Sequence, residues 1–204
     1  MAEKHIYLIR HGETLFNVQH RTQGWSDSPL TENGIRQAKA AGEFMRDFGV
    51  NFDAYYSSTS ERACDTLELV FPGVAYMRVK GFKETNFGAF EANPQYLEPS
   101  VPRRREFFRE FGGENWDDVA DRVKQQIIDI FEAHPEQETI FGVSHGAAMS
   151  HFMRLISPLD QAESWDGLHN LEMLHYTYDP DTGAMATVEK IRTLSGEIES
   201  WDAK

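Results

Sequence analysis

Cysteine is nearly absent from this chain of 204 residues: Cys64 stands alone, which excludes an intrachain disulfide and any multi-cysteine metal site. Long apolar runs are missing too. Nothing approaches the ~20 residues of a membrane span, and the start, MAEKHIYLI, has neither the basic flank nor the apolar core and small-residue cleavage site of a secretory signal. A soluble protein of the reducing cytoplasm is the expectation. Positive charge is scarce, with 20 Lys and Arg against 33 Asp and Glu for a net −13. Such a balance repels a polyphosphate backbone at long range, so nucleic acid is not an expected partner, and neither is a membrane. There is no internal repeat and no low-complexity tract.

What is present suffices for a core, 40 % hydrophobic and 12 % aromatic residues, in a length that fits one α/β domain spanning 1–204. Strand-type runs at 5–10, 52–58 and 74–79 alternate with helical patterns at 31–49 and 60–71. In the first of these helices Thr31 is placed to cap, the stripe is Ile35, Ala38, Gly42, Met45 and Phe48, and Gly49 stops the helix. Further on, 115–134 carries Trp116, Val119, Val123, Ile127 and Ile130 on one helical face, 139–144 is a buried-type strand and 146–156 is helical. The segments 171–179 and 184–192, separated by Pro180, Asp181, Thr182 and Gly183, form a closing hairpin. The expected architecture is a three-layer α/β sandwich, a mostly parallel central sheet flanked by helices. The interval 81–114 mixes Gly and Pro with seven aromatic residues. It is read as an insertion packed over the sheet edge, above the carboxyl ends of the strands.

The chemistry-bearing residues fall at strand ends. Arg10, His11 and Gly12 follow the first strand, and Ser144, His145 and Gly146 follow a later one. Open parallel sheets bind ligands at such ends. Ser57, Ser58 and Arg62 follow the second strand, with Arg62 in the first turn of a helix whose amides favour an anion. Glu84 lies just beyond the third. Each residue alone has an ordinary reading: a hydrogen-bonded strand-end histidine, a surface arginine, a solvated glutamate. Their joint order is what points to one phosphate site. Against the acidic background, Arg103, Arg104 and Arg105 also stand out, either as a contact for a second anionic group of a substrate or as a solvated basic turn beside Glu98, Glu106 and Glu110.

These motifs together resemble the histidine phosphatase superfamily, the phosphoglycerate mutase-like fold. The resemblance runs through LIRHGETLFN, DSPLTENGIRQA, YYSSTSERACDT, KETNFGAFEA and VSHGAAM, nearly the whole chain. It implies covalent catalysis on a small phosphorylated substrate with no metal and no nucleotide cofactor. His11 is then the nucleophile, since neutral imidazole attacks well near its unperturbed pKa of about 6.5. Arg10, Arg62 and His145 supply donors to the phosphoryl oxygens, and Gly12 leaves room for the group. Asn17 adds an amide donor, and Gln23, Gly24, Ser58 and Gly146 complete the substrate-binding set. Glu84 protonates the leaving alkoxide and then takes a proton from water, helped by partial burial among Phe82, Phe87 and Phe90.

The superfamily divides into mutases and phosphatases. Its mutases follow the acid glutamate with an Arg-His-Tyr run that grips a substrate carboxylate, whereas here Thr85, Asn86 and Phe87 follow Glu84. The expectation is a phosphomonoesterase, with a mutase as the alternative. A phosphate-binding module with a decayed site is disfavoured because none of His11, Arg62, Glu84 or His145 is missing. A metal or redox centre on His5, His11 and His145 lacks a local ligand spacing.

Overall fold

The computed structural model describes residues 2–157 and 167–200. In chain order its elements are β1 (Lys4–Arg10), α1 (Leu15–Val18), α2 (Glu32–Asp47), β2 (Ala54–Ser58), α3 (Glu61–Val70), β3 (Met77–Val79), α4 (Val101–Phe107), α5 (Trp116–Ala133), β4 (Thr139–Ser144), α6 (Gly146–Ile156), β5 (Glu172–Tyr178), β6 (Met185–Arg192) and β7 (Glu197–Ser200). Seven strands form one sheet in the order β3-β2-β4-β1-β5-β6-β7. Alternation along β1 sorts the core into two layers. Ile6 and Leu8 join α5 and α6 on one face, while Tyr7 and Ile9 join α2 and α3 on the other. No helix among the described residues is long and apolar enough to cross a membrane.

The sheet is mixed rather than mostly parallel. β3, β2, β4 and β1 pair in parallel, but β5, β6 and β7 continue the sheet antiparallel. Antiparallel neighbours need only a tight turn and no crossover helix, and the turn at 180–183 supplies one between β5 and β6. The expected hairpin is thus present. β7 was not expected: all four of its residues are exposed, so no apolar alternation marks it. The predicted strand 74–79 reduces to Met77–Val79, the part that reaches β2.

The helices begin where their caps stand. Thr31 Oγ1 accepts from Gly34 N at 2.9 Å, and Asn115 Oδ1 accepts from Asp118 N at 2.7 Å with Asp117 and Asp118 in the first turn. Gly49, at φ +79°, ends α2. The buried stripe of α2 is Gly34, Ala38, Ala41, Gly42 and Met45, and Ile35 is turned outward. Gly34 must face the chain after β1, because a Cβ there would meet Glu13 O at 2.0 Å, and this sets the rotation of the helix.

The interval 81–114 folds as 3-10 turns around α4 and closes on its own aromatic cluster. Phe87 packs on Phe108 at 4.8 Å between ring centroids, and Phe90 meets Phe107 at 5.2 Å and Phe111 at 5.1 Å. It lies over the carboxyl ends of the strands, not along the sheet edge. Two contacts hold it there: Ser144 Oγ donates to Phe82 O at 2.9 Å, and Glu84 binds the start of α6.

Candidate active site

Parallel register brings the two histidine motifs together. Arg10 lies opposite Ser144 in the β1–β4 ladder, and the ladder extends one step through His11 N, which donates to Ser144 O at 3.1 Å. His11 and His145 are therefore neighbours, with ring centroids 5.2 Å apart. Ser57 lies opposite Val143 in β4, so Ser58, Ser60 and the start of α3 arrive at the same level.

His11 is buried, and its ring is held in one tautomer. Nδ1 sits 2.8 Å from the carbonyl oxygen of Gly12, so Nδ1 carries the proton and donates, and Nε2 is left with its lone pair. Burial, then the charges of Arg62 and Arg10, hold the pKa of His11 well below 6.5. The imidazole therefore stays neutral as pH falls through that value. Asn170 Nδ2 fixes the backbone by donating to His11 O at 2.8 Å.

Arg62 is almost fully enclosed and held from several sides. Nη1 donates to Ser26 O at 3.0 Å and to Asp27 Oδ1 at 2.9 Å, and Nη2 donates to Gly24 O and His145 Nδ1, each at 2.9 Å. Nε of Arg62 and Nε of Arg10 are both buried without an acceptor among the described residues, while Arg10 Nη1 donates to Leu168 O. Buried guanidinium donors without partners are rare in a folded protein. Both guanidinium groups are near enough to His11 for their charges to lower its pKa, and an anion bound there would meet their unneutralised charge.

His145 differs from expectation. Its Nδ1 accepts from Arg62, so Nε2 bears the hydrogen and donates to Ser58 Oγ at 2.8 Å. Both ring nitrogens are engaged inside the protein, and burial and the nearby Arg62 hold its pKa well below 6.5. Neither nitrogen is free to donate to a phosphoryl oxygen; the ring braces Arg62. Ser58 lies behind it as the acceptor that fixes this tautomer.

Glu84 is also placed differently from expectation. Phe82 is in the core and Phe87 and Phe90 pack on other rings, so the carboxylate faces backbone amides instead. Oε1 accepts from Thr85 N and Ala148 N, each at 2.8 Å, and Oε2 accepts from Ala147 N at 3.0 Å. Arg122 secures the segment by donating to Gly81 O, Lys83 O and Glu84 O while paired with Glu114.

A cavity of about 340 Å³ opens above these groups. Arg10, His11, Asn17, Gln23, Glu84 and Gly146 line it; Arg62, His145, Ser58 and Gly24 do not, and lie behind the wall. Asn17 uses Oδ1 to accept from Thr14 N at 3.1 Å, which leaves its NH2 group for a ligand. Gln23 accepts from Thr14 Oγ1 and donates to Ser28 Oγ. The glycines serve packing. A Cβ on Gly12 would meet Gly34 O at 2.9 Å, so its smallness lets β1 approach α2 rather than making room for phosphate, and a Cβ on Gly146 would press on Arg10 Nε at 3.3 Å. Gly24 is confined between Thr85 and Glu91.

Sequence reasoning missed several residues. Glu91 gathers the amides of Gly24, Trp25, Ser26 and Phe87 on its carboxylate, and so shapes the loop whose carbonyls hold Arg62. Asp27 pairs with Arg62 directly. Both stood inside motifs quoted for the resemblance, yet nothing local distinguishes them from solvated acids. Of the three arginines singled out, only Arg104 reaches the cavity, and it is paired with Glu98 at 3.2 Å; Arg105 is exposed and pairs with Asp117. His5 sits at the far end of β1 from His11 and bonds His175 at 3.0 Å, so the trio of His5, His11 and His145 is not assembled. Among the described residues no group of three or more His, Cys, Asp or Glu side chains is arranged to hold a metal ion.

Residues 6–190 match the family model of the histidine phosphatase superfamily (branch 1). The chain is 31 % identical over 154 residues to an uncharacterized phosphatase, PhoE, of Bacillus subtilis (strain 168), covering 74 % of this chain and 77 % of that one. Among solved structures, YhfR of Bacillus stearothermophilus superposes with TM-score 0.75 at 31 % identity, covering 90 % and 95 % of the two chains. A phosphoglycerate mutase of Bacillus anthracis str. Sterne gives TM-score 0.77 at 25 % identity, with 91 % of each chain covered.

Proposed function

The chain belongs to the histidine phosphatase superfamily, branch 1, and from that membership we propose that it hydrolyses the phosphoric monoester of a small metabolite through a phosphohistidine on His11. The observation that carries this reading is the tautomer of His11: Nδ1–H tied to Gly12 O and Nε2 bare, with Arg10 and Arg62 near enough for their charges to lower its pKa. In the first step the Nε2 lone pair forms a bond to phosphorus as the bond to the alcohol oxygen breaks. The leaving alkoxide takes a proton from Glu84, whose Oε2 carries a single amide contact and so has room for it. In the second step water attacks the phosphohistidine, Glu84 takes its proton, the P–N bond breaks, and inorganic phosphate leaves His11 neutral as it began. Arg10 and Arg62 stabilise the charge spread over the equatorial oxygens in both steps.

Hydrolysis rather than mutase transfer is favoured by the residues after Glu84. Thr85 is buried, Asn86 caps its own loop by accepting from Gly88 N, and Phe87 packs on Phe108; none of the three offers a cation to a substrate. The cavity, near the low end of the ~300–1,000 Å³ typical of ligand clefts, suits a small phosphate ester. We take residues 1–204 as one catalytic domain, and the buried lone thiol of Cys64 accords with the cytoplasm. Brief incubation with labelled substrate is expected to leave an acid-labile, alkali-stable phosphoryl label on His11, and His11→Ala to lose both the label and hydrolysis of an aryl phosphate while its circular dichroism is unchanged. A label that survives acid, or maps to Ser58 or Ser144, overturns the assignment.

A further inference from the structure

One wall of the cavity is a face of α6. Gly146, Ala147, Ser150, His151 and Arg154 all line it, at spacings that place them along one side of a helix. The helix begins beside His145 and receives the Glu84 carboxylate on its first amides. This wall therefore runs from the reacting centre outward: Arg154 lies ~12 Å along the axis from Gly146 at 1.5 Å per residue. Its guanidinium lies beside Trp116, another residue that lines the cavity.

Arg154 is unlike the other cations of this cavity. Arg21 donates to Gln19 Oε1 and Ala92 O, Arg104 donates to Pro99 O and pairs with Glu98, and Arg10 is held by Leu168 O. Among the described residues Arg154 has no hydrogen-bond acceptor and no carboxylate. It is steadied instead by the ring of Trp116, with the guanidinium carbon 5.7 Å from the ring centroid. Trp116 in turn stacks on His151, centroids 4.6 Å apart. His151 is more than nine-tenths buried, and its Nδ1 has no hydrogen-bond partner among the described residues. Burial pushes the pKa of His151 down to about 3, so the ring is neutral and adds a hydrogen-bonding group but no charge. A protein of net charge −13 thus keeps a partly buried guanidinium in the lining of this cavity with no carboxylate partner among the described residues.

We propose that Arg154, braced by Trp116 and flanked by the unpartnered Nδ1 of His151, binds a carboxylate on the alcohol portion of the substrate, so that the enzyme acts on small phosphorylated carboxylic acids. The inference rests on the phosphatase reading above and deepens it. A guanidinium fork matches a carboxylate in shape and charge. One fork beside a neutral imidazole suits a single negative charge; a second phosphate, nearly dianionic, calls for more than one free cation. The limited volume requires the acid and the ester to belong to the same small skeleton.

The test compares two esters that differ only at this group, 3-phosphoglycerate and glycerol 3-phosphate, with p-nitrophenyl phosphate as a check on hydrolysis itself. The intact protein is expected to favour the acid by about tenfold or more in kcat/KM, the worth of one charge-assisted contact. Arg154→Gln should abolish that preference chiefly through KM for the acid, and Arg154→Lys, which keeps the charge and loses the fork, should retain part of it. Circular dichroism verifies each fold, and the Lys variant decides if the Gln variant does not fold. Hydrolysis of p-nitrophenyl phosphate without any preference for the acid overturns this inference and leaves the phosphatase reading intact. So does equal slowing of both esters by Arg154→Gln, or a stronger preference for a bisphosphate. No hydrolysis of any ester overturns both.

Discussion

The floor and the wall of the cavity are built on different principles. The floor stands on strand ends: His11 lines it with Arg62 and His145 buried behind, and their tautomers and forks are set by short contacts to neighbouring elements. The wall comes from the 81–114 interval and α6, where Arg104, Val101 and Arg154 are partly or fully exposed. A floor of this kind is preorganised, so its donors need not reorganise as charge moves onto the phosphoryl oxygens. The wall is where a different alcohol can be accommodated without disturbing the chemistry beneath.

The contrast is broken hardest at Glu84, which stands in the wall, rooted in the insertion and bonded to the amino end of α6, yet is buried and held by three amides as the floor is. Glu84→Gln is expected to slow the phosphorylation step with an alkyl phosphate by about 10²–10³-fold, the usual worth of a general acid. With an aryl phosphate, whose leaving group barely needs a proton, this step should be nearly spared, and slow dephosphorylation should produce a burst. Pre-steady-state traces on both substrates read this directly, and equal losses in the phosphorylation step mean that Glu84 only shapes the pocket.

A smaller effect is expected where the floor is held from behind. Asp27→Asn keeps the shape but removes the charge opposite the buried Arg62. We expect kcat for aryl phosphate to fall by about tenfold with KM little changed, and stability to drop by ~1–3 kcal/mol in denaturant titration. Unchanged kcat would mean that the three remaining contacts of the Arg62 fork, to Ser26 O, Gly24 O and His145, hold it unaided. The smallest effect belongs to the outer wall. Arg105→Ala removes an exposed pair with Asp117, worth ~0–1 kcal/mol, and steady-state kinetics on either class of ester should not distinguish it from the unaltered protein.

The floor was legible in the sequence because its residues are adjacent in short motifs at the ends of apolar runs. Arg10 and His11 follow β1, and His145 and Gly146 follow β4. Parallel pairing of those runs is all that is needed to unite them. Glu84 was found by its motif, but its surroundings were misjudged: nearby phenylalanines suggested an aromatic pocket, and the rings turned away to pack on one another. Glu91 and Asp27 were not legible, since an acid that collects amides from distant segments looks like any solvated acid. The seventh strand was not legible for a related reason, as β7 has no apolar face to announce it.

By itself the sequence determined the layers, the histidine motifs and the strand ends that carry them, because apolar periodicity and local spacing are properties of neighbours along the chain. Only the tertiary structure decided which nitrogen of each histidine bears its proton, which arginine donors lack a partner among the described residues, and that Arg154 rather than the Arg103–Arg105 run lines the cavity with no carboxylate beside it among those residues. These depend on hydrogen bonds between segments scores of residues apart, such as Arg62 to His145 and Asn170 to His11. A polar group's chemistry is set by whichever atom meets it across the fold, and no local pattern records that meeting.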